Sequence, residues 1–379
     1  MNLPLKGLKI LDLSTLLPGP YATMLLADLG AEVLRVESAS RPDLVRNMTP
    51  QVDGQSAAFS YLNRGKDSIA LNLKHPEASK LIAKLVAEYD ILIEQFRPGV
   101  MARLGLDYDT LKAANPALIY CSLTGYGQTG PYRDKAGHDL NYLALSGAAS
   151  HMGRMDAGPA PMGLQVADVA AGSHPAVISI LAAVIGRHST GEGCYIDISM
   201  ADNTLAMQAL MAPGALNGGA DPTPESNFLN GGSFYDYYRT ADDRYIAVGS
   251  LEPQFRKGLA NALNIPDQPP LETAQFKTLL QQKFRRQDLA NWCDQLADLD
   301  ICVEPVLTVS EAASHPQFAA RNMIVTQPSG EQQIASALGF AQETIRPAPR
   351  CGEQTEKVME GLNYNASEIE KLRLAGLFD

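Results

Sequence analysis

The sequence predicts an α/β protein: a large Rossmann-like domain built on a parallel sheet, joined to a smaller α+β domain. Three observations carry this prediction. Short apolar runs alternate with longer helical patterns through the first 125 residues, as βαβ units do. The pattern changes after Gly147, and a Gly- and Pro-rich stretch ending at Phe228 reads as a linker. At 379 residues the chain is also longer than one hydrophobic core usually organises.

Strands are expected at residues 8–13, 32–36, 91–94 and 118–123, each an apolar run of strand length. Between them, residues 20–29 and 76–87 place apolar side chains at helical spacing, and Leu17-Pro18-Gly19-Pro20 sets proline where a first helical turn tolerates it. No GxGxxG follows the first strand, so a nicotinamide-cofactor reading has no fingerprint. A helical segment at 140–147 leads into a loop rich in Gly, Met and Pro at 153–163. A long apolar helix follows from about Asp168 to Arg187, then a strand at 195–199. Beyond the linker, residues 232–238 and 245–249 read as a hairpin across Thr240-Ala241-Asp242-Asp243, followed by helical patterns to about Leu299 and a strand at 302–307. Residues 367–374 have the N-cap and spacing of a terminal helix returning to the first domain. The domain plan is therefore 1–200 for the large domain, 201–228 for a linker, 229–305 for the small domain, 306–335 for a second linker and 336–379 for the C-terminal return.

Composition narrows the function. The net charge of −11 speaks against nonspecific nucleic-acid binding, yet the charge is uneven: residues 1–140 carry 15 basic and 15 acidic side chains, the remainder 16 and 27. An anion-binding surface is expected in the first 140 residues, where Arg35, Arg41, Arg46, Arg64, Lys66, Arg97, Arg103, Arg133 and Lys135 are available; solvated surface charge is the alternative for each. The five cysteines are scattered without a CxxC pair, which argues for reduced, mostly buried thiols over disulfides or a structural zinc site. No uncharged apolar run of about eighteen residues is expected to span a bilayer, and residues 1–9 lack a signal-peptide pattern. A soluble, cytoplasmic protein is the expectation.

Three residues could do chemistry. His138, in Lys135-Ala136-Gly137-His138-Asp139, sits in a loop just before a helical segment, where an imidazole can face a cleft and be held by its neighbours; a capping or surface histidine is the alternative. Asp168 opens the long apolar helix, where unpaired amides and the helix dipole favour a carboxylate, and N-capping alone would explain it. Glu252 follows a strand and precedes a helix, again with a capping alternative. Met152, Met155 and Met162, then Met200, Met207 and Met211, could line a pliant acyl-chain pocket or simply fill a core.

The run from Ala136 to Gly147, Ala-Gly-His-Asp-Leu-Asn-Tyr-Leu-Ala-Leu-Ser-Gly, resembles the α-methylacyl-CoA racemases of the family III CoA-transferase (CaiB/BaiF) superfamily. Further matches span nearly the whole chain. They include Leu17-Pro18-Gly19-Pro20, Asn63-Arg64-Gly65-Lys66, Phe96-Arg97-Pro98-Gly99, Leu123-Thr124-Gly125-Tyr126-Gly127, and Gly231-Gly232-Ser233-Phe234-Tyr235-Asp236. Several of these occur throughout the superfamily; the His138 and Glu252 motifs point to racemases. The resemblance implies an interlocked homodimer, with the active site between the large domain of one subunit and the small domain of the other. It also implies His138 and Asp168 as the proton-transfer pair, Glu252 as the group that orients or polarises the histidine, and a coenzyme A site in the large domain. Arg35, Arg64, Lys66, Arg97 and Tyr142 are the binding candidates.

Inverting an α-carbon requires one group to remove a proton from one face and another to deliver one to the opposite face. The intermediate is a thioester enolate, whose charge the amides at the start of the Asp168 helix would hold. No metal or further cofactor is required, coenzyme A being part of the acyl-CoA substrate. The same resemblance supports an alternative, a CoA-transferase in which Asp168 attacks the acyl-CoA and forms a mixed anhydride. A non-catalytic acyl-CoA-binding protein would need none of the three residues.

Overall fold

The computed structural model describes residues 3–327, 329–340 and 346–379. The 306–335 and 336–379 stretches of the domain plan thus each include positions outside the described residues, as does the N-terminal segment. The chain divides into two compact units: residues up to Ser146 with Gly163–Met207 and Ala319–Asp379, and Gly147–Met162 with Gln208–Phe318.

The first unit begins with β1 (Lys9–Leu13), α1 (Pro18–Asp28), β2 (Glu32–Glu37), α2 (Ala57–Asn63) and β3 (Asp67–Ala70). It continues through α3 (Ala78–Val86), β4 (Ile91–Glu94), β5 (Ile119–Thr124), α4 (Asp139–Leu145), α5 (Val166–Thr190), β6 (Cys194–Ser199) and α6 (Met200–Ala206). The six strands form one sheet in the order β3-β2-β1-β4-β5-β6, every neighbouring pair parallel. The order reverses between β1 and β4, and doubly wound sheets bind ligands in the crevice outside the strand carboxyl ends at that point.

In this unit the expected strands and helices fall within about three residues of those observed; in the second unit the first hairpin arm starts at Asp236, four residues later than expected. Strand β3 lies outside the sequence expectation: Asp67-Ser68-Ile69-Ala70 is too short and too polar for a periodicity test, and it becomes a strand by pairing with Leu34–Glu37 of β2. The last helices, α10 (Thr355–Gly361) and α11 (Ala366–Leu374), belong to the first unit, and Met359, Ile369 and Leu377 join the sheet-side core of Leu11, Leu34, Leu81 and Leu92.

Helix α5 corrects two expectations. It starts at Val166, before Asp168, and its second turn, Val169–Ser173, is π-helical. At 25 residues it is also long and apolar enough, by length and composition, to cross a membrane, contrary to the expected lack of any such run. A core helix passes the same test: Ala171, Ala176, Val177 and Ile180 are buried in the unit, while Ile178 and Ile185 are 66% and 70% exposed.

In the second unit, β7 (Asp236–Arg239) and β8 (Tyr245–Val248) form the expected antiparallel hairpin, and β9 (Val303–Pro305) pairs with β8 from the other side. Helices α7 (Pro253–Ala262), α8 (Thr273–Phe284) and α9 (Leu289–Leu296) share a core with the sheet residues Tyr238, Ile246 and Val248 through Leu259, Phe276, Leu280, Phe284 and Trp292. The unit also takes in residues 147–162, a wider extent than 229–305. All five cysteines are free thiols, but only Cys121 is buried and Cys302 is exposed, which corrects the expectation of mostly buried thiols.

Candidate active site

A cavity of about 320 Å³ opens at the carboxyl ends of β1, β4 and β5, where the strand order reverses. Thr15, Leu16 and Pro18 line it after β1, Gln95, Phe96 and Arg97 after β4, and Thr124 to Tyr126 after β5; His138, Tyr142 and Asp168 close it.

The loop after β1 is held from below by the buried carboxylate of Asp12. It accepts from the Ser14 amide (2.9 Å), the Ser14 and Thr23 hydroxyls, and Lys66 Nζ (3.2 Å). Burial pushes the Asp12 carboxyl up, but the Lys66 and Arg35 cations and the two hydroxyls outweigh it and hold it below the usual range. Gln95 Oε1 accepts from the Gly19 amide at 3.0 Å and ties this loop to β4. A Cβ at Gly19 would stand 2.2 Å from that of Ser14, so only glycine permits the approach.

His138 occupies the N-cap position of α4, and its backbone amide donates to Asn141 Oδ1 at 3.0 Å. The loop before it is fixed by Tyr142, whose hydroxyl donates to the Gly137 carbonyl at 2.6 Å and whose ring packs edge-on against Tyr126, centroids 5.2 Å apart. Burial, with the Asp168, Tyr126 and Asp139 neighbours adding to it, holds the Tyr142 phenol well above its ordinary range, so the hydroxyl stays a neutral donor.

Asp168 is the third residue of α5; Gln165 is the N-cap, and no side-chain capping bond is present there. Capping therefore does not account for the carboxyl. Burial first, then the Asp139 carboxyl, push it up to about 6, while His138 pulls the other way. Asp139 also accepts from the Asp168 backbone amide at 3.0 Å, which joins the starts of α4 and α5. The Val166 amide donates to the Leu164 carbonyl at 3.1 Å. Two first-turn amides are thus committed within the protein, which narrows the expected role of this helix start in holding an enolate.

The sequence-derived binding residues separate. Arg97 is exposed on the cavity wall and Tyr142 lies within it, Arg35 is buried, and Arg64 and Lys66 require correction. Arg64 is fully buried and divides its donors between Asp28 (2.6 and 3.1 Å) and the Ile334 carbonyl (2.6 Å). Lys66 Nζ goes to Asp12, the Pro20 carbonyl (2.9 Å) and Asn63 (3.0 Å), and burial lowers it to about 8 despite Asp12. Arg35 is 1% exposed and donates to Asn63 (2.8 Å) and Asp43 (2.5 Å). Arg64 and Lys66 neutralise interior carboxylates and are not free to meet a phosphate, whereas Arg35, though paired with Asp43, also lines the cavity outside β1 and β2.

Arg133 and Lys135 instead accompany Arg97 on the cavity wall. A neighbouring cavity of about 390 Å³, outside β1, β2 and β3, shares Thr15 and Phe96 with the first and carries exposed Arg41 and Lys74. Sequence reasoning missed Lys74 because it missed β3, the strand that Lys74 follows. It also missed Asp139, although the residue adjoins His138 in the motif. Glu252 lies in the second unit, exposed at the N-cap of α7 without a side-chain capping bond.

A half-buried acid and an imidazole facing one crevice of a Rossmann-like sheet, with cations on its wall, are features of an α/β enzyme that acts on an anionic substrate. The comparison with known proteins supplies the family: the chain belongs to CoA-transferase family III, whose family model matches residues 5–355. It is 35% identical to the alpha-methylacyl-CoA racemase of Homo sapiens over 97% of this chain and 96% of that one. It is 34% identical to the acetyl-CoA:oxalate CoA-transferase of Acetobacter aceti, over 93% and 94%. Among solved structures, a CAIB/BAIF family protein from Brucella suis matches with a TM-score of 0.83 at 30% identity, covering 96% of this chain and all of that one.

Proposed function

We propose that the protein is an α-methylacyl-CoA racemase, moving a proton at the α-carbon of a 2-methylacyl-CoA through an enolate, with His138 and Asp168 as the two bases. The observation that carries this is the placement of both side chains on one cavity, with the Asp168 carboxyl pushed up to about 6. A carboxyl there exchanges protons near neutral pH, as a reversible acid and base must. Tyr142 and Asp139 then position the two bases. Exposed Arg97, Arg133 and Lys135, with Arg41 and Lys74 at the adjoining cavity, would meet the coenzyme A phosphates.

We further infer a homodimer in which Glu252 of the partner subunit orients His138. The exposed Ile178 and Ile185 of α5 supply apolar surface for the subunit contact. Sequence similarity to a CoA-transferase at nearly the same level keeps a second reading in play, with Asp168 as the nucleophile. Hydroxylamine separates the two. A racemase consumes no acceptor acid and leaves the Asp168 carboxyl unmodified by hydroxylamine; a transferase yields a hydroxamate on Asp168 of the protein and moves CoA to an added carboxylic acid.

A further inference from the structure

The segment from Gln95 to Arg97 forms one wall of the cavity that holds His138 and Asp168, and Phe96 lines the adjoining cavity as well. It is fixed from within the first unit: Gln95 Oε1 accepts from the Gly19 amide at 3.0 Å, the Val100 amide donates to the Arg97 carbonyl at 3.1 Å, and the Phe96 amide donates to Glu94 Oε2 at 2.7 Å. Glu94 ends β4 two residues after Leu92, on the sheet face whose core holds Leu92, Leu81 and Leu106, where a strand of a parallel sheet is ordinarily apolar. It is only 3% exposed and forms no ion pair among the described residues.

The second carboxyl oxygen of Glu94 accepts from the Ser122 hydroxyl, which in turn accepts from the Tyr195 hydroxyl at 3.0 Å. Burial pushes the Glu94 carboxyl up to about 7, the Ser122 and Phe96 bonds pull against that rise, and Asp197 adds to it. The titratable groups around it are Arg97, Asp107, Tyr108 and Asp109 from the chain after β4, Tyr120 and Cys121 from β5, and Tyr195 and Asp197 from β6. Burying an acid without a cation is costly, and leucine would fill the same face without that cost. The loop gives the acid a task. Arg97 lines a second cavity of about 350 Å³, with Glu94, Ser122 and Tyr195 on its wall, as well as the cavity of His138 and Asp168, so an unanchored loop would leave its side chain two places to go.

We propose that Glu94 is a positioning residue: by holding the Phe96 amide, it keeps Phe96 and Arg97 on the wall of the His138 and Asp168 cavity, where they meet the acyl-CoA. The inference rests on the acyl-CoA reading of that cavity and is independent of whether proton transfer or CoA transfer follows. Glu94→Leu removes both acceptor oxygens at similar volume. Glu94→Gln keeps an acceptor for the Phe96 amide and a donor for Ser122, as the neutral acid does.

The test compares wild type with both variants by titration calorimetry with a 2-methylacyl-CoA and by amide hydrogen exchange. In folded Glu94→Leu the Kd should rise about tenfold, and exchange at the Phe96 amide should be about tenfold faster with β1 and β5 unchanged. Glu94→Gln should match wild type at pH 6, where the acid is neutral, and bind about threefold more weakly at pH 8, where wild type holds the amide with a charged oxygen. Titration of the thioester's own phosphates cancels in that ratio, and a merely structural role would not make the ratio depend on pH. An unchanged Kd in folded Glu94→Leu overturns the proposal. If that variant does not fold, a ratio of Glu94→Gln to wild type that is the same at both pH values overturns it. Should wild type itself bind no acyl-CoA, the reading of the cavity fails and the inference falls with it; binding that Glu94→Leu retains in full sinks the inference alone.

Discussion

Asp168 combines a partly buried carboxyl, a carboxyl neighbour in Asp139 and an imidazole neighbour in His138, and its chemistry follows from that balance. Epimerisation takes up no net proton, so the kcat/KM of the two directions must share one pH profile, and both should rise as pH increases through about 6, where the Asp168 carboxyl loses its proton. Asp139→Asn removes the carboxyl that raises Asp168, so this limb should move to lower pH in both directions, a shift read from pH–rate profiles. The same group costs stability. Its folded pKa lies above the ordinary aspartate value, so its contribution is present below about pH 4 and lost as pH rises through 6. Asp168→Asn should therefore be more stable than wild type at pH 7.5, on the order of 1–2 kcal/mol once partial exposure is allowed for, with the gap closing near pH 3 in urea titrations. His138→Ala and Asp168→Ala should each abolish epimerisation while leaving coenzyme A binding nearly intact.

At the scale of elements, the buried cations separate what a motif can reveal from what it cannot. Asn63-Arg64-Gly65-Lys66 was legible as a family motif, and its basic residues were read as phosphate ligands because sequence carries no burial. The fold encloses Arg64 and Lys66 at the junction of α1, α2 and β3, where they neutralise Asp28 and Asp12. Arg64→Met should cost about 3 kcal/mol in unfolding free energy, since it takes a bidentate cation away from a buried carboxylate. Protein that remains folded should keep its KM for acyl-CoA; a raised KM with unchanged stability would restore the phosphate-binding role. The long apolar helix was legible from its pattern, but its start before Asp168 and its π-turn depend on contacts with α1 and α6 that no local pattern encodes. Such π-turns recur at functional sites.

At the scale of the whole molecule, alternating apolar runs and helical patterns sufficed for a parallel-sheet α/β unit, and the motif around His138 for the family. The strand order, and with it the crevice that brings His138 and Asp168 to one cavity, depends on long-range pairing and became visible only in the structure. Glu252 stands in the other unit, and the proposed dimer makes a specific expectation of it. If the partner subunit supplies Glu252, equal mixing of inactive Asp168→Ala and Glu252→Ala chains under exchange should restore about a quarter of wild-type activity, because half the dimers are mixed and each has one intact site. No recovery would place both residues in the same chain's site. The central claim is proton transfer at the α-carbon. One epimer of a 2-methylacyl-CoA, incubated with the protein in D₂O without acceptor acid, should take up α-deuterium while its epimer accumulates; a substrate that returns undeuterated and unepimerised would contradict it.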